Sequence, residues 1–186
     1  VASGDPSADG MVVWTRLATE PLVFGGGMPT QPMAVQWQLA ADDGMRKVVR
    51  QGSAMAHPEL GHALHVELDG LLPGRPYWYR FTVGGHASAI GRTHTLPAAN
   101  APIKRVRFVV AGCQHFEEGH YTAWRHIAEE PLDFVFHYGD YIYEGESQPG
   151  VRRMNGQPFT NLRNHVGPQT YTLDDYRRRY AQYKTD

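Results

Sequence analysis

A chain of 186 residues with 41% hydrophobic, 11% aromatic and 20% charged residues has the balance of a globular protein, long enough for one large domain or two small ones. Lys and Arg number 18 against 19 Asp and Glu, with seven basic against eight acidic residues up to Pro97 and eleven against eleven beyond it. Neither half has the charge excess of a general nucleic-acid or anionic-membrane binder, and apolar runs such as Phe108 to Gly112 fall far short of the ~20 residues that span a bilayer.

The opening Val1-Ala2-Ser3-Gly4-Asp5-Pro6 has no Met, basic region or apolar core and is not a signal peptide. The first 97 residues read as all-β. Met11 to Leu17 is rich in β-branched and aromatic residues. From Met33 to Ala40, Met33, Val35, Trp37 and Leu39 share one face and Gln36 and Gln38 the other. Lys47 to Gln51 is expected to be a short strand after the Asp42-Asp43-Gly44 turn. Ala63 to Leu68 alternates again, and the Leu71-Leu72-Pro73-Gly74 turn leads into Tyr77 to Val83. Gly91 to Leu96 supplies a last strand. Strands at this spacing predict a β-sandwich over 1–97, with Trp14, Trp37 and Tyr79 in its core. Gly25-Gly26-Gly27 reads as loop. His57, His62 and His65 cluster in sequence, but His62 and His65 are three apart and face opposite sides of a strand.

Residues 98–103 form a linker by composition, and the period then changes. Arg105 to Gly112 is a continuous apolar run, the pattern of a strand buried on both faces. Tyr121 to Glu129 has helical spacing, and Leu132 to Tyr138 is a second apolar strand. Strand, helix and strand make a βαβ unit with parallel pairing. Two strands and one helix are too few to stand alone, so 104–186 is expected to begin a larger, here truncated, α/β domain. Gly145 to Thr170 reads as polar and irregular. Leu173 to Tyr183 reads as a helix, with Leu173, Tyr176, Tyr180 and Tyr183 as its apolar stripe, Asp174 and Asp175 in its first turn, and Arg177-Arg178-Arg179 on a solvated face.

Ligands of open α/β sheets gather past the carboxyl ends of strands. Those ends are Ala111-Gly112-Cys113-Gln114-His115 and His137-Tyr138-Gly139-Asp140-Tyr141-Ile142-Tyr143-Glu144. Cys113, the single cysteine, can form no intrachain disulfide. It is a buried filler, a reactive thiol or a metal ligand. Gly139-Asp140 after a strand is equally a turn, and Tyr143 equally a core or rim residue. On parallel neighbouring strands, however, Cys113 and Asp140 emerge on the same rim. A thiolate, a carboxylate and a phenolate suit a hard trivalent cation, and the two oxygens of Asp140 can bridge two metals. His115 and His120 lie near the same rim and can contact phosphate, although both also read as solvent-facing loop residues.

Two resemblances extend this reading. Leu68 to Leu96, with Leu71/Leu72-x-Pro-Gly-x-x-Tyr77-x-Tyr79-Arg80, resembles a fibronectin type III module. Gly139-Asp140-x-x-Tyr143 resembles the second motif of the binuclear metallophosphoesterases. Within them, purple acid phosphatases carry Asp-x-Gly at the first strand end, where this sequence has Ala111-Gly112-Cys113-Gln114. PhoD-type alkaline phosphatases place a Cys there. The resemblance to them also rests on Val1-Ala2-Ser3-Gly4-Asp5-Pro6, Val13-Trp14-Thr15-Arg16-Leu17, Gly139-Asp140-Tyr141-Ile142-Tyr143-Glu144 and Leu173-Asp174-Asp175-Tyr176-Arg177-x-x-Tyr180.

This resemblance implies an all-β sandwich followed by the start of an α/β metallophosphatase domain. It implies Cys113, Asp140 and Tyr143 as ligands of Fe³⁺, with Asp140 also touching Ca²⁺. It further implies hydrolysis of phosphoric esters by a metal-activated hydroxide, in a periplasmic or secreted monomer, with the remaining ligands beyond Asp186. The 186 residues alone are then expected to be an incomplete enzyme. A purple-acid-phosphatase-like enzyme and a non-catalytic sandwich used for docking stand as the alternatives.

Overall fold

In the computed structural model, which describes residues 1–186, eight strands occupy the first half: β1 (Ala2–Gly4), β2 (Met11–Arg16), β3 (Met33–Ala40), β4 (Val48–Ala56), β5 (Ala63–Leu68), β6 (Pro76–Val83), β7 (His86–Ala87) and β8 (Gly91–His94). They form two antiparallel sheets, one ordered β1-β2-β5 and one ordered β4-β3-β6, with β7 and β8 both paired to β6. Every second residue of β2, β5 and β6 is buried, as the two-residue period of a half-buried strand requires. Met11, Val13, Leu64, Val66 and Leu68 from one sheet join Val35, Leu39, Tyr77, Tyr79 and Phe81 from the other in one apolar cluster. Full burial of each such side chain stabilises by ~1.5–3 kcal/mol.

Two sequence expectations change here. Trp14 occupies the alternate face of β2, between the buried Val13 and Thr15, and is not part of that cluster. Trp37 packs against the cluster only in part, its indole lying over Gly52 of β4, where a Cβ would come within 2.6 Å of the ring. Strand β4 is also far longer than Lys47–Gln51. It follows β3 from Met33↔Ala56 to Ala40↔Val48, so its length comes from its partner's backbone groups and not from its own largely exposed side chains.

Two units divide the chain, residues 1–19 with 28–104, and residues 20–27 with 105–186. In the second, β9 (Phe108–Ala111), α1 (Thr122–Glu129) and β10 (Phe134–His137) form the expected crossover, with β9 and β10 parallel from Phe108↔Phe134 to Ala111↔His137. The Phe108 and Phe134 rings stack at 5.1 Å. The expectation that β9 is buried on both faces does not hold in this chain: Phe108 and Val110 are 53% and 55% exposed, because the crossover is a single short helix that buries none of its own residues.

The stretch 145–170 contains a hairpin, β11 (Arg152–Met154) and β12 (Gln157–Phe159). Its turn is Asn155-Gly156, both with positive φ, the pair preferred in two-residue hairpin loops. Last comes α2 (Leu173–Lys184), opened by a reciprocal cap between Thr172 and Asp175. Its buried residues are Arg179, Ala181, Gln182 and Tyr183, whereas Leu173 and Tyr176 are exposed. Both the apolar stripe and the solvated Arg177–Arg179 face are therefore corrected. Arg179, with 1% exposure, is the largest fully buried side chain of the protein. Arg178 lies on the same helix over the ring of Phe24, at 4.4 Å, which ties 20–27 to this unit. No helix is long and apolar enough to cross a membrane.

Candidate metal centre

The ladder between β9 and β10 runs on past the strands. Tyr138 N–H donates to the Ala111 carbonyl at 3.0 Å, and Cys113 N–H donates to the Gly139 carbonyl at 2.9 Å. The two post-strand turns approach so closely that a Cβ on Gly112 would sit 2.8 Å from the Gly139 oxygen. Cys113 and Asp140 both adopt left-handed backbone, with φ of 54° and 50°, which costs a non-glycine residue ~1–2 kcal/mol. Strain placed on two facing strand ends points to a site.

These turns bring three of the sequence candidates together. The Cys113 thiol donates to Asp140 Oδ2 at 3.3 Å, and the Tyr143 hydroxyl donates to the same oxygen at 3.2 Å. Burial, reinforced by the hydrogen bond to Asp140, pushes the Tyr143 phenol above its ordinary pKa. Elsewhere in the chain no three His, Cys, Asp or Glu side chains come together; here a phenol joins a thiol and a carboxylate. With the thiol and the phenol both within 3.3 Å of one carboxylate oxygen, the three groups lie close enough to share a ligand sphere with bonds of ~2.0–2.3 Å. Gln114 Oε1 and His137 Nε2, on the same two strand ends, are buried polar atoms with no hydrogen-bond partner.

His115 is not a free loop residue. Its ring packs on Tyr143 at 4.5 Å and near His165 at 5.4 Å, and its Nδ1 accepts from Glu117 N–H at 3.4 Å. His120, exposed, lies by a cavity of about 600 Å³ lined by Gln114, Trp124, Arg125, Tyr141 and Lys184 among others. His62 is buried and hydrogen-bonds the Gln31 carbonyl through Nε2 at 3.2 Å, while His65 is exposed.

Around the triad lies a buried polar hub that sequence reasoning missed. Glu117 is 2% exposed. Its carboxylate accepts from Ser147 Oγ, and from His165 N–H at 3.2 Å. Burial pushes its pKa up, but these bonds outweigh that and hold it below the ordinary value. His165 is pulled down to about 4, by burial first and by the Arg179 charge second. Arg179 donates to the carbonyls of Tyr143, Gly145 (2.8 Å) and Pro168 (3.1 Å). Nothing in the polar run 145–170 marks Ser147 or His165 by period. The one available signal was Tyr183 within a charged helix.

Two family descriptions match the chain, one over each of its two halves. The family description "PhoD-like phosphatase, N-terminal domain" matches residues 1–97, and "PhoD-like phosphatase" matches residues 108–186. The chain belongs to the PhoD-like phosphatases. It is 50% identical, over all 186 residues, to alkaline phosphatase D of Bacillus subtilis (strain 168), of which it covers 31%. Against the solved structure of PhoD it has a TM-score of 0.92 at 49% identity, covering all of this chain and 34% of that one. The chain thus spans about a third of the length of these relatives.

Proposed function

We propose that the full-length protein is a metal-dependent phosphoric ester hydrolase in which Cys113, Asp140 and Tyr143 would hold a ferric ion and Asp140 would also touch a calcium ion. The convergence of thiol and phenol on one carboxylate oxygen carries this reading. Bound metals of this kind neutralise phosphate oxygens and lower the pKa of a coordinated water from ~15.7 toward ~7. The chain's own groups do the placing. Gly112 lets the two turns close, the strained Cys113 and Asp140 backbones aim both side chains at one point, and His115 backs the Tyr143 ring.

In this scheme Cys113 is a ligand and not an attacking thiol. The substrate is a phosphate monoester, with diesters as a further class, and membership of this family supports a periplasmic or secreted location. The domain division follows the same reading: a fibronectin type III-like sandwich over 1–97, a linker over 98–103 and the start of the metallophosphatase domain over 104–186. Calcium takes 6–8 oxygen ligands, and these residues offer it one carboxylate oxygen. Residues 1–186 alone are therefore expected to turn over poorly.

The test is p-nitrophenyl phosphate hydrolysis at alkaline pH by the full-length protein supplied with iron and calcium, with metal content measured alongside. Asp140→Asn should abolish turnover and strip bound metal. Full metal content and activity in that variant would overturn the assignment.

A further inference from the structure

One buried hydroxyl connects the two loops that carry the candidate ligands. Tyr183, on α2, accepts from Phe116 N–H at 3.2 Å and from Tyr143 N–H at 3.2 Å. Phe116 lies three residues after Cys113, and Tyr143 is itself a candidate ligand, so the same oxygen is attached to the loop after β9 and the loop after β10. Two accepted bonds occupy both lone pairs of a phenol oxygen. Its proton therefore goes to the remaining neighbour, His165 Nε2, at 3.1 Å. His165 Nδ1 lies 3.2 Å from the Gly145 carbonyl, which can only accept, so Nδ1 carries the imidazole proton. Every partner is then matched. Arg179, one turn back on α2, takes the Tyr143 carbonyl. The backbone of Tyr143 is thus held at both its N–H and its C=O by one helix.

We propose that Tyr183 is a positioning residue for the Cys113–Asp140–Tyr143 centre: its hydroxyl, oriented by neutral His165, fixes the spacing of the two ligand-bearing loops. The inference rests on the metal reading given above. It assigns to α2, distant in sequence from all three candidate ligands, the task of keeping them within one ligand sphere. Partners of this kind, one step removed from a metal, are worth about 10–100-fold in metal affinity or activity.

The experiment uses the full-length protein with ferric iron as the probe. Iron binding is followed by the phenolate-to-iron charge-transfer absorption, and p-nitrophenyl phosphate kinetics are split into kcat and KM. Tyr183→Phe keeps the ring and removes the oxygen. It should weaken iron binding about 10–100-fold, shift the charge-transfer band and lower kcat more than KM changes. His165→Leu, which leaves the hydroxyl proton without an acceptor, should change the same readouts in the same direction.

Tyr77→Phe is the control for simple loss of stability. Tyr77 is another buried tyrosine, whose hydroxyl accepts from Leu72 N–H at 3.0 Å; its loss should lower the melting temperature and leave the absorption band in place. A folded Tyr183→Phe with unchanged iron affinity and band would overturn the positioning role, provided that Asp140→Asn and Tyr143→Phe abolish binding. If those two variants bind iron normally, the metal reading itself fails.

Discussion

The two halves of the molecule bury opposite kinds of chemistry. In the sandwich, the most buried large side chains include Val13, Val35 and Leu39; in the second unit they are Arg179 and Glu117. The first core excludes water by packing aliphatic and aromatic groups from two sheets, an arrangement that tolerates small shifts and asks little of direction. The second is held by hydrogen bonds that the Arg179 guanidinium donates to backbone carbonyls and that the Glu117 carboxylate accepts from a backbone amide. Such bonds fix direction to within a narrow cone, and a buried polar network is costly when any member is left unpaired. A sandwich can be stable without being exact in every contact. In the proposed centre three donors have to meet at one point, which needs angular control, and the neighbouring polar hub is proposed to supply it.

Arg179→Met is expected to give the largest effect, because it takes the guanidinium donor away from the carbonyls of Tyr143, Gly145 and Pro168. Each buried carbonyl left without a donor costs about 1–3 kcal/mol. Hydrogen exchange should show protection lost in residues 105–186 and kept in β2, β3 and β6. If Arg179→Met melts normally, the contrast between the two cores does not hold.

Leu39→Ala is the counterpart in the sandwich, where a cavity at a fully buried position should cost about 2–5 kcal/mol. Protection should be lost first in the first unit. Equal loss in both units would mean that they unfold as one.

A pH series sharpens the comparison further. The folded His165 pKa of about 4 lies below the ordinary 6.5, so between those values the unfolded chain binds the extra proton. Stability from this group is full above pH ~6.5 and is lost as pH falls toward 4. Glu117, also depressed in the folded state, adds loss in the same direction at lower pH. Urea denaturation of the second unit from pH 7 to 4 should show its midpoint falling, and His165→Leu should flatten the part of the slope between 6.5 and 4. A midpoint that rises on acidification would contradict a neutral buried His165.

The smallest effect is expected from Thr172→Ala, which removes the α2 cap at a cost of about 1 kcal/mol. Thermal melting should detect it, with the loops after β9 and β10 undisturbed.

Legibility from the sequence followed the same division. The strands of the sandwich, the crossover β9-α1-β10 and the shared rim of Cys113, Asp140 and Tyr143 were all readable, because period and strand-end position are local properties of the chain. Trp14 misled because a bulky apolar residue on a strand suits either face. The hairpin at Asn155-Gly156 was missed although its turn signal was present. The triple arginine misled more instructively. A basic run on a helix usually faces water, and nothing within α2 reveals that three carbonyls from 143–168 would converge on the third of them.

Composition and periodicity by themselves determined two regions, a parallel crossover and a candidate ligand set, since each depends on residues close in sequence or on the fixed geometry of adjacent strands. Tertiary structure alone decided that Glu117, Ser147, His165, Arg179 and Tyr183 form one hub behind those ligands. Its members are spread over 67 residues, and a buried polar group carries no sequence period, because its place is set by the partners that satisfy it and not by a face turned toward or away from water.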